Sequence, residues 1–242
     1  MTNLIQTLIS GLSLGSIYAL IALGYTMVYG IAKMLNFAHG DVIMVGAYSG
    51  IVAVAQLGLS PWVTVIVSIV VCAVLGVVIE FCAYKPLRQA APLSVLITAI
   101  GVSYLLQNAA LLLFGSQQMA YPTLVKLGSF SLGGVQVDGI TVLTLAVTAV
   151  LMAALTLFID KTKLGKAMRA VSEDKDAATL MGISVDRTIT LTFAIGSALA
   201  AFASMFYGMT YVYIKPTTGA MPGIKAFTAA VFGGIGSIRG AM

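Results

Sequence analysis

An all-α integral membrane protein, a polytopic bundle of transmembrane helices, is the fold class this sequence predicts, and three observations predict it. Of the 242 residues 60% are hydrophobic and only 9% charged, with a mean hydropathy of +1.03. One soluble core cannot hide so much apolar surface, so lipid is the solvent for the exterior. Uncharged runs recur along the chain, most of them near or above the roughly 20 residues that a helix needs to cross a bilayer. Finally, the 13 basic and 8 acidic residues are unevenly placed, with 11 of the 21 in residues 160–187. That stretch, DKTKLGKAMRAVSEDKDAATLMGISVDR, must lie in water, between two uncharged runs at 140–159 and 188–214.

Taken in order, residues 4–31 are one uncharged run, long enough to span with tilt. Gly11, Gly15 and Ser16 give it a small face for close helix packing. Beyond Lys33 comes MLNFAHGD, residues 34–41, a polar island of Asn36, His39 and Asp41. Residues 42–79 carry no charge and suffice for two spans divided by the turn-formers Gly58, Ser60 and Pro61. The first of these, 42–57, is short, so it crosses thinly or draws the island into the membrane. Glu80, about a turn from Lys85, is expected to snorkel to the interface. Cys72 and Cys82 fit neither a disulfide framework nor a metal site and read as inert buried thiols.

Lys85, Pro86 and Arg88 make a short basic turn before the fourth span, 93–114, which carries Gln107 and Asn108 on its outer half. Residues 115–138 form a polar connection and 140–159 the fifth span. In the sixth, 188–214, Gly196, Ala200, Ser204 and Gly208 recur every four residues on one face, which lets another helix backbone approach closely. Residues 223–242 start a further membrane segment, making about seven. If 160–187 is cytoplasmic, alternation puts Lys33, Lys85, Arg88 and the loop's own basic residues inside and only Lys126 and Lys215 clearly outside. The N-terminus is then external.

The composition also excludes functions. The net charge of +5 comes from basic residues scattered singly at the ends of apolar runs, as topology requires and a nucleic-acid partner does not. Residues 1–6 lack a basic region, so no cleavable signal is read. Gly233, Gly234, Gly236 and Gly240 mimic a phosphate loop, but no Lys-Ser or Lys-Thr follows and no strand precedes, so helix packing or a half-helix turn is the reading. With one histidine, no Gly-x-Ser-x-Gly, no metal spacing and no carboxylate pair on a span, catalysis finds no support.

Within 160–187, Leu164, Ala167, Met168 and Val171 lie at i, i+3, i+4 and i+7, the stripe of a short amphipathic helix. Ser172 is placed to cap a second one. Glu173, Asp174 and Asp176 crowd its first turn, where the helix dipole favours acid, and Gly182 is placed to stop it. Ala177 and Ala178, beside Leu180 and Met181, then offer a small apolar knob that fits a groove on a soluble partner; a solvated loop lying on the headgroups is the other reading. For the island, two readings stand open. One is a broken helix whose polar groups line a path; the other is a helix cap at Asn36 or Asp41. Gln107 and Asn108 could likewise contact a solute in transit or bond between helices.

Asp176-Ala177-Ala178-x-x-x-Gly182 resembles the coupling motif by which bacterial ABC importer permeases seat on an ATPase subunit. GYTMVYGIAKMLNFAHGDVIMVGAY, residues 24–48, and GIKAFTAAVFGGIGSIRGAM, residues 223–242, resemble the permeases of branched-chain amino acid ABC transporters, of the LivH type. The likeness covers essentially the whole chain, read as a single permease domain, 1–242, with 160–187 as its coupling loop. Lys166, Arg169, Glu173, Asp176, Ala177, Ala178 and Gly182 are then expected to meet the ATPase. The resemblance implies a bacterial inner-membrane permease working by alternating access on leucine, isoleucine and valine, fed by a periplasmic binding protein. It implies a second permease of related fold and two ATPase subunits that hold the ATP, with no cofactor on this chain. A same-family permease for urea, short amides or another amino acid is the first alternative. An ion-coupled secondary transporter using Asp41 and His39 is the second. The family's chains run on past the last string, so a C-terminally truncated chain is expected, and Arg239 stands where the family has proline.

Overall fold

The computed structural model describes residues 2–132, 135–236 and 240; Arg239 lies outside them. Nine α-helices run in the order α1 (Thr2–Ala32), α2 (His39–Ala55), α3 (Pro61–Ile79), α4 (Pro92–Phe114), α5 (Gly139–Lys161), α6 (Lys163–Glu173), α7 (Lys175–Leu180), α8 (Val185–Tyr211) and α9 (Ala220–Phe232) among the described residues. Five are long and apolar enough to cross a membrane, α1, α3 with its extension to Leu87, α4, α5 and α8. The apolar helices α2 and α9 are shorter, at 17 and 13 residues. These seven coincide with the seven expected segments, the second being the short one.

Local chemistry sets the boundaries. Pro61 and Pro92 open α3 and α4, where the missing N–H has no helical partner to lose. Gly58 and Gly115, at φ of 61° and 78°, take the left-handed turns after α2 and α4. The polar connection after α4 is not all coil. Residues β1 (Met119–Ala120) pair antiparallel with β4 (Tyr213–Ile214), while β2 (Ser129–Leu132) and β3 (Val135–Asp138) form a hairpin. The hairpin strand β3 packs on α1 and α5, and β4 packs on α2 and α8.

α8 is the central post, packed by α1, α2 and α3. Its small residues allow this: Gly196 lies against Gly24 of α1, Ser204 against Gly46 of α2, and Gly208 against the ring of Tyr121. Close backbone approach is what drives helix association where lipid removes the hydrophobic incentive. Gly11 and Gly15 do not take part. Nothing among the described residues lies within 4 Å of a Cβ built at either position, and the close contacts of α1 fall later, at Gly24 and Gly30. The rest of the exterior is apolar and exposed, with Trp62, Phe81, Leu112 and Phe232 facing out, as a lipid-solvated surface requires.

Two expectations near the end of α3 are corrected. Glu80 does not snorkel: its carboxylate is fully buried in a π-helical turn, Glu80–Tyr84, paired with Arg88 and accepting from Thr190 Oγ1 at 2.8 Å. The ion pair and the hydrogen bond, one to each oxygen, offset the desolvation cost of burying the carboxylate. Arg88 also pairs with Asp186, which Lys85 reaches at 3.1 Å, so the end of α3 is tied to the start of α8. Of the two thiols only Cys72 is buried, and Cys82, turned outward by the π turn, is exposed.

Candidate translocation cleft and coupling surface

The polar island sits at a break between two helices. α1 ends at Ala32, Lys33 takes a left-handed φ of 58°, and α2 begins at His39. Neither Asn36 nor Asp41 caps a helix. The N-cap of α2 is Ala38, with no side-chain bond, and Asp41 lies inside the first turn, donating its backbone N–H to the Ala38 carbonyl at 3.0 Å. All three island side chains are buried, yet they point to different neighbours. Asn36 accepts from the Tyr84 hydroxyl at 3.0 Å. The His39 ring fills the space above Gly24 and meets Tyr25 edge-on at 4.9 Å, with no hydrogen-bond partner for either nitrogen among the described residues.

Asp41 faces a cleft. Its Oδ1 accepts from Gln107 Nε2 at 3.0 Å, and the same nitrogen lies 3.2 Å from Ser103 Oγ. Together with Tyr25, Phe37, Ile100, Tyr104, Gly223 and Ile224 these residues line a cleft of about 270 Å³ between α1, α2, α4 and α9. It has a carboxylate, an amide and a hydroxyl on one side and aliphatic or aromatic walls on the others. Asn108 is not part of it; its amide donates to the Tyr104 carbonyl at 2.8 Å on the exposed side of α4. A second, outer cleft of about 420 Å³ shares Ala220 with the first and is lined by Tyr207, Tyr211, Tyr213, Lys215, Thr217 and Thr218.

The two glycine-rich strings meet here. A Cβ on Gly223 would fall 2.9 Å from the Gly40 Cα, and one on Gly30 would fall 3.0 Å from the Gly236 carbonyl oxygen. Phe227 stacks against both Tyr25 and Phe37, at 5.7 and 5.1 Å. The close fit of α9 on the α1–α2 break therefore depends on bare backbone at Gly40 and Gly223. After α9, Gly234 and Gly236 turn the chain at φ of 85° and 98°.

On the opposite end of α5 the charged loop folds into two short helices. Thr162 caps α6 by accepting from the Gly165 N–H at 3.0 Å, and Met168 and Val171 are the residues that α6 buries, whereas Leu164 is exposed. Asp174, not Ser172, caps α7, accepting from the N–H groups of Asp176 and Ala177 at 2.8 and 3.0 Å. The Ser172 hydroxyl is turned back to the Arg169 carbonyl. Gly182 ends the unit at φ of 77°. Lys166, Arg169, Glu173, Asp176, Ala177 and Gly182 are exposed, with Arg169 also 3.3 Å from Asp160.

Ala178 is not the exposed knob. It is 3% exposed, facing the bundle, and the side chains that project are its neighbours Leu180 and Met181, at 89% and 81%. A six-residue helix that buries Ala178 must present the next residues outward. Lys175, unremarked in the sequence, is half-buried and donates to the Ala32 carbonyl at 3.1 Å, joining α7 to the end of α1.

Comparison with known proteins follows the same extent as the fold. Residues 7–242 match the family described as the permease component of branched-chain amino acid transport systems. The chain is 48% identical to BraD of Pseudomonas aeruginosa, a high-affinity branched-chain amino acid transport system permease protein, over 98% of this chain and 81% of that protein. LivH of Escherichia coli, which carries the same description, is 45% identical with the same coverage. LivM of Salmonella typhimurium is 27% identical over 91% of this chain and 57% of its own length. No solved structure matches the chain.

Proposed function

The chain belongs to the family of permease components of branched-chain amino acid transport systems, and on that premise we propose that it carries leucine, isoleucine and valine through the Asp41–Gln107 cleft. It is a multi-pass membrane permease subunit and not an enzyme. ATP is bound and hydrolysed by two separate ATPase subunits, no cofactor sits on this chain, and a periplasmic binding protein delivers the solute. A second permease of related fold completes the path. The 27% identity to LivM, a permease protein of the same kind of transport system, supports a partner of related fold. The membrane is the bacterial inner membrane, with the 160–187 loop cytoplasmic and the N-terminus outside.

The observation that carries the reading is the composition of the cleft. An amino acid in transit presents an ammonium and an aliphatic side chain. The cleft sets the Asp41 carboxylate, held by Gln107, opposite Ile100, Ile224 and Phe37. Few precisely placed polar groups in a mostly apolar lining is the usual make-up of such sites. α6 and α7 supply the drive: the ATPases close on ATP, the exposed Leu180 and Met181 are carried along, and the motion passes into α8, whose first turn is tied by Asp186 to Arg88 and Lys85.

Competition tests this. In proteoliposomes holding the complete complex and its binding protein, unlabelled isoleucine and valine should suppress ATP-dependent leucine uptake, and urea should leave it unchanged. ATP-dependent accumulation of labelled urea, with leucine itself not accumulated, would assign the chain to amide transport instead.

A further inference from the structure

A third cleft, of about 380 Å³, opens at the coupling-loop end of the bundle between the end of α1, the basic turn after α3 and the start of α4. Its polar rim is Lys33, Arg88 and Lys175; its floor is apolar, with Leu87, Val95 and Leu96. Among the described residues no carboxylate lines it. Neither Lys33 nor Lys175 lies within ion-pair distance of an acid among the described residues. The Arg88 Nε is buried and without a hydrogen-bond partner there, although the arginine's other nitrogens are taken by Glu80 and Asp186. Burial, then the positive charges of Arg88 and Lys33, hold the Lys175 amine below its usual pKa. Both burial and neighbouring positive charge disfavour the charged amine.

We propose that this cleft binds the anionic headgroup of a glycerophospholipid from the adjacent leaflet. The phosphate sits among Lys33, Lys175 and Arg88, and the acyl chains run out over Leu87 and Leu96. Three observations favour a lipid over a soluble anion. The cleft is apolar below its rim, it opens beside the exposed Leu93 and Ile97 of α4, and it lies at the end of spanning helices. Basic pockets between spanning helices take anionic headgroups for the electrostatic reason that gathers basic residues at that surface. The site adjoins the Lys175 to Ala32 bond, so a bound phosphate would stiffen the contact between α7 and α1. The inference rests on the chain spanning a bilayer and is independent of which solute is carried.

The test is native mass spectrometry of the complete complex, titrated with phosphatidylglycerol, phosphatidylcholine or inorganic phosphate. One phosphatidylglycerol should stay bound at a concentration where phosphatidylcholine is lost. Lys33→Gln, at an exposed position outside the helices, and Lys175→Gln should each weaken that binding about tenfold or more, with the complex still assembled. Equal retention of the two lipids, or an unchanged affinity in both variants, overturns the proposal. Displacement of the lipid by millimolar inorganic phosphate would make the cleft a free-anion site. Displacement by leucine would place it on the transport path. Either result also overturns the proposal.

Discussion

The Asp41 carboxylate in the first turn of α2 accepts from the Gln107 amide of α4 across 3.0 Å, a polar tie between the α1–α2 break and the most exposed of the long helices. Hydrogen bonds to a charged group contribute about 1.5–3 kcal/mol. Gln107→Leu should therefore lower leucine uptake about tenfold or more while the ATPase subunits still copurify. Uptake within twofold of wild type would show that the tie serves packing alone.

Leu180 and Met181 project from the end of α7, and Ala178 points inward. Leu180→Glu should abolish copurification of the ATPase with the permease still inserted and its melting midpoint unchanged. Ala178→Glu should behave differently, lowering the midpoint itself, because it drives a charge into the seam between α7 and the bundle. Normal ATPase association in Leu180→Glu would remove the docking surface from this end of α7.

A Cβ added to Gly24 would overlap the His39 ring. Overpacking of this kind costs about 1–3 kcal/mol, so Gly24→Ala should lower the thermal midpoint and His39→Ala should restore part of the loss in the double variant. Strict additivity of the two changes would mean that the ring does not fill that space.

Glu80, buried between Arg88 and Thr190, is replaced at a cost because its loss leaves the partly buried Arg88 guanidinium with Asp186 alone and the Thr190 hydroxyl without this acceptor. Breaking one partner of such a pair costs about 3–5 kcal/mol. Glu80→Gln should thus be markedly less stable than wild type in thermal unfolding, and Glu80→Gln with Arg88→Met should recover part of that loss. A single variant as stable as wild type would contradict the ion cluster.

The helices were legible because each span is an uncharged run bounded by Pro, Gly or a basic residue, and the α8 ladder because its small residues repeat at the helical period. The site was legible only as pieces. Asp41 and Gln107 lie 66 residues apart, and nothing in spacing says that they meet. The same holds for Gly40 with Gly223 and for Glu80 with Arg88 and Thr190. The burial of Ala178 is not legible because in a six-residue helix the choice between the inward and outward face is made by tertiary packing, with too few residues to show a stripe. Gly11 and Gly15 have the look of a packing face, with no close neighbour among the described residues.

ATP-dependent leucine uptake by the reconstituted complex carrying Asp41→Asn tests the central claim most directly. If Asp41 receives the ammonium of the transported amino acid, uptake should fall tenfold or more while binding protein loaded with leucine still stimulates ATP hydrolysis. Uptake at the wild-type rate, with the complex intact, would contradict the assignment of this cleft to transport.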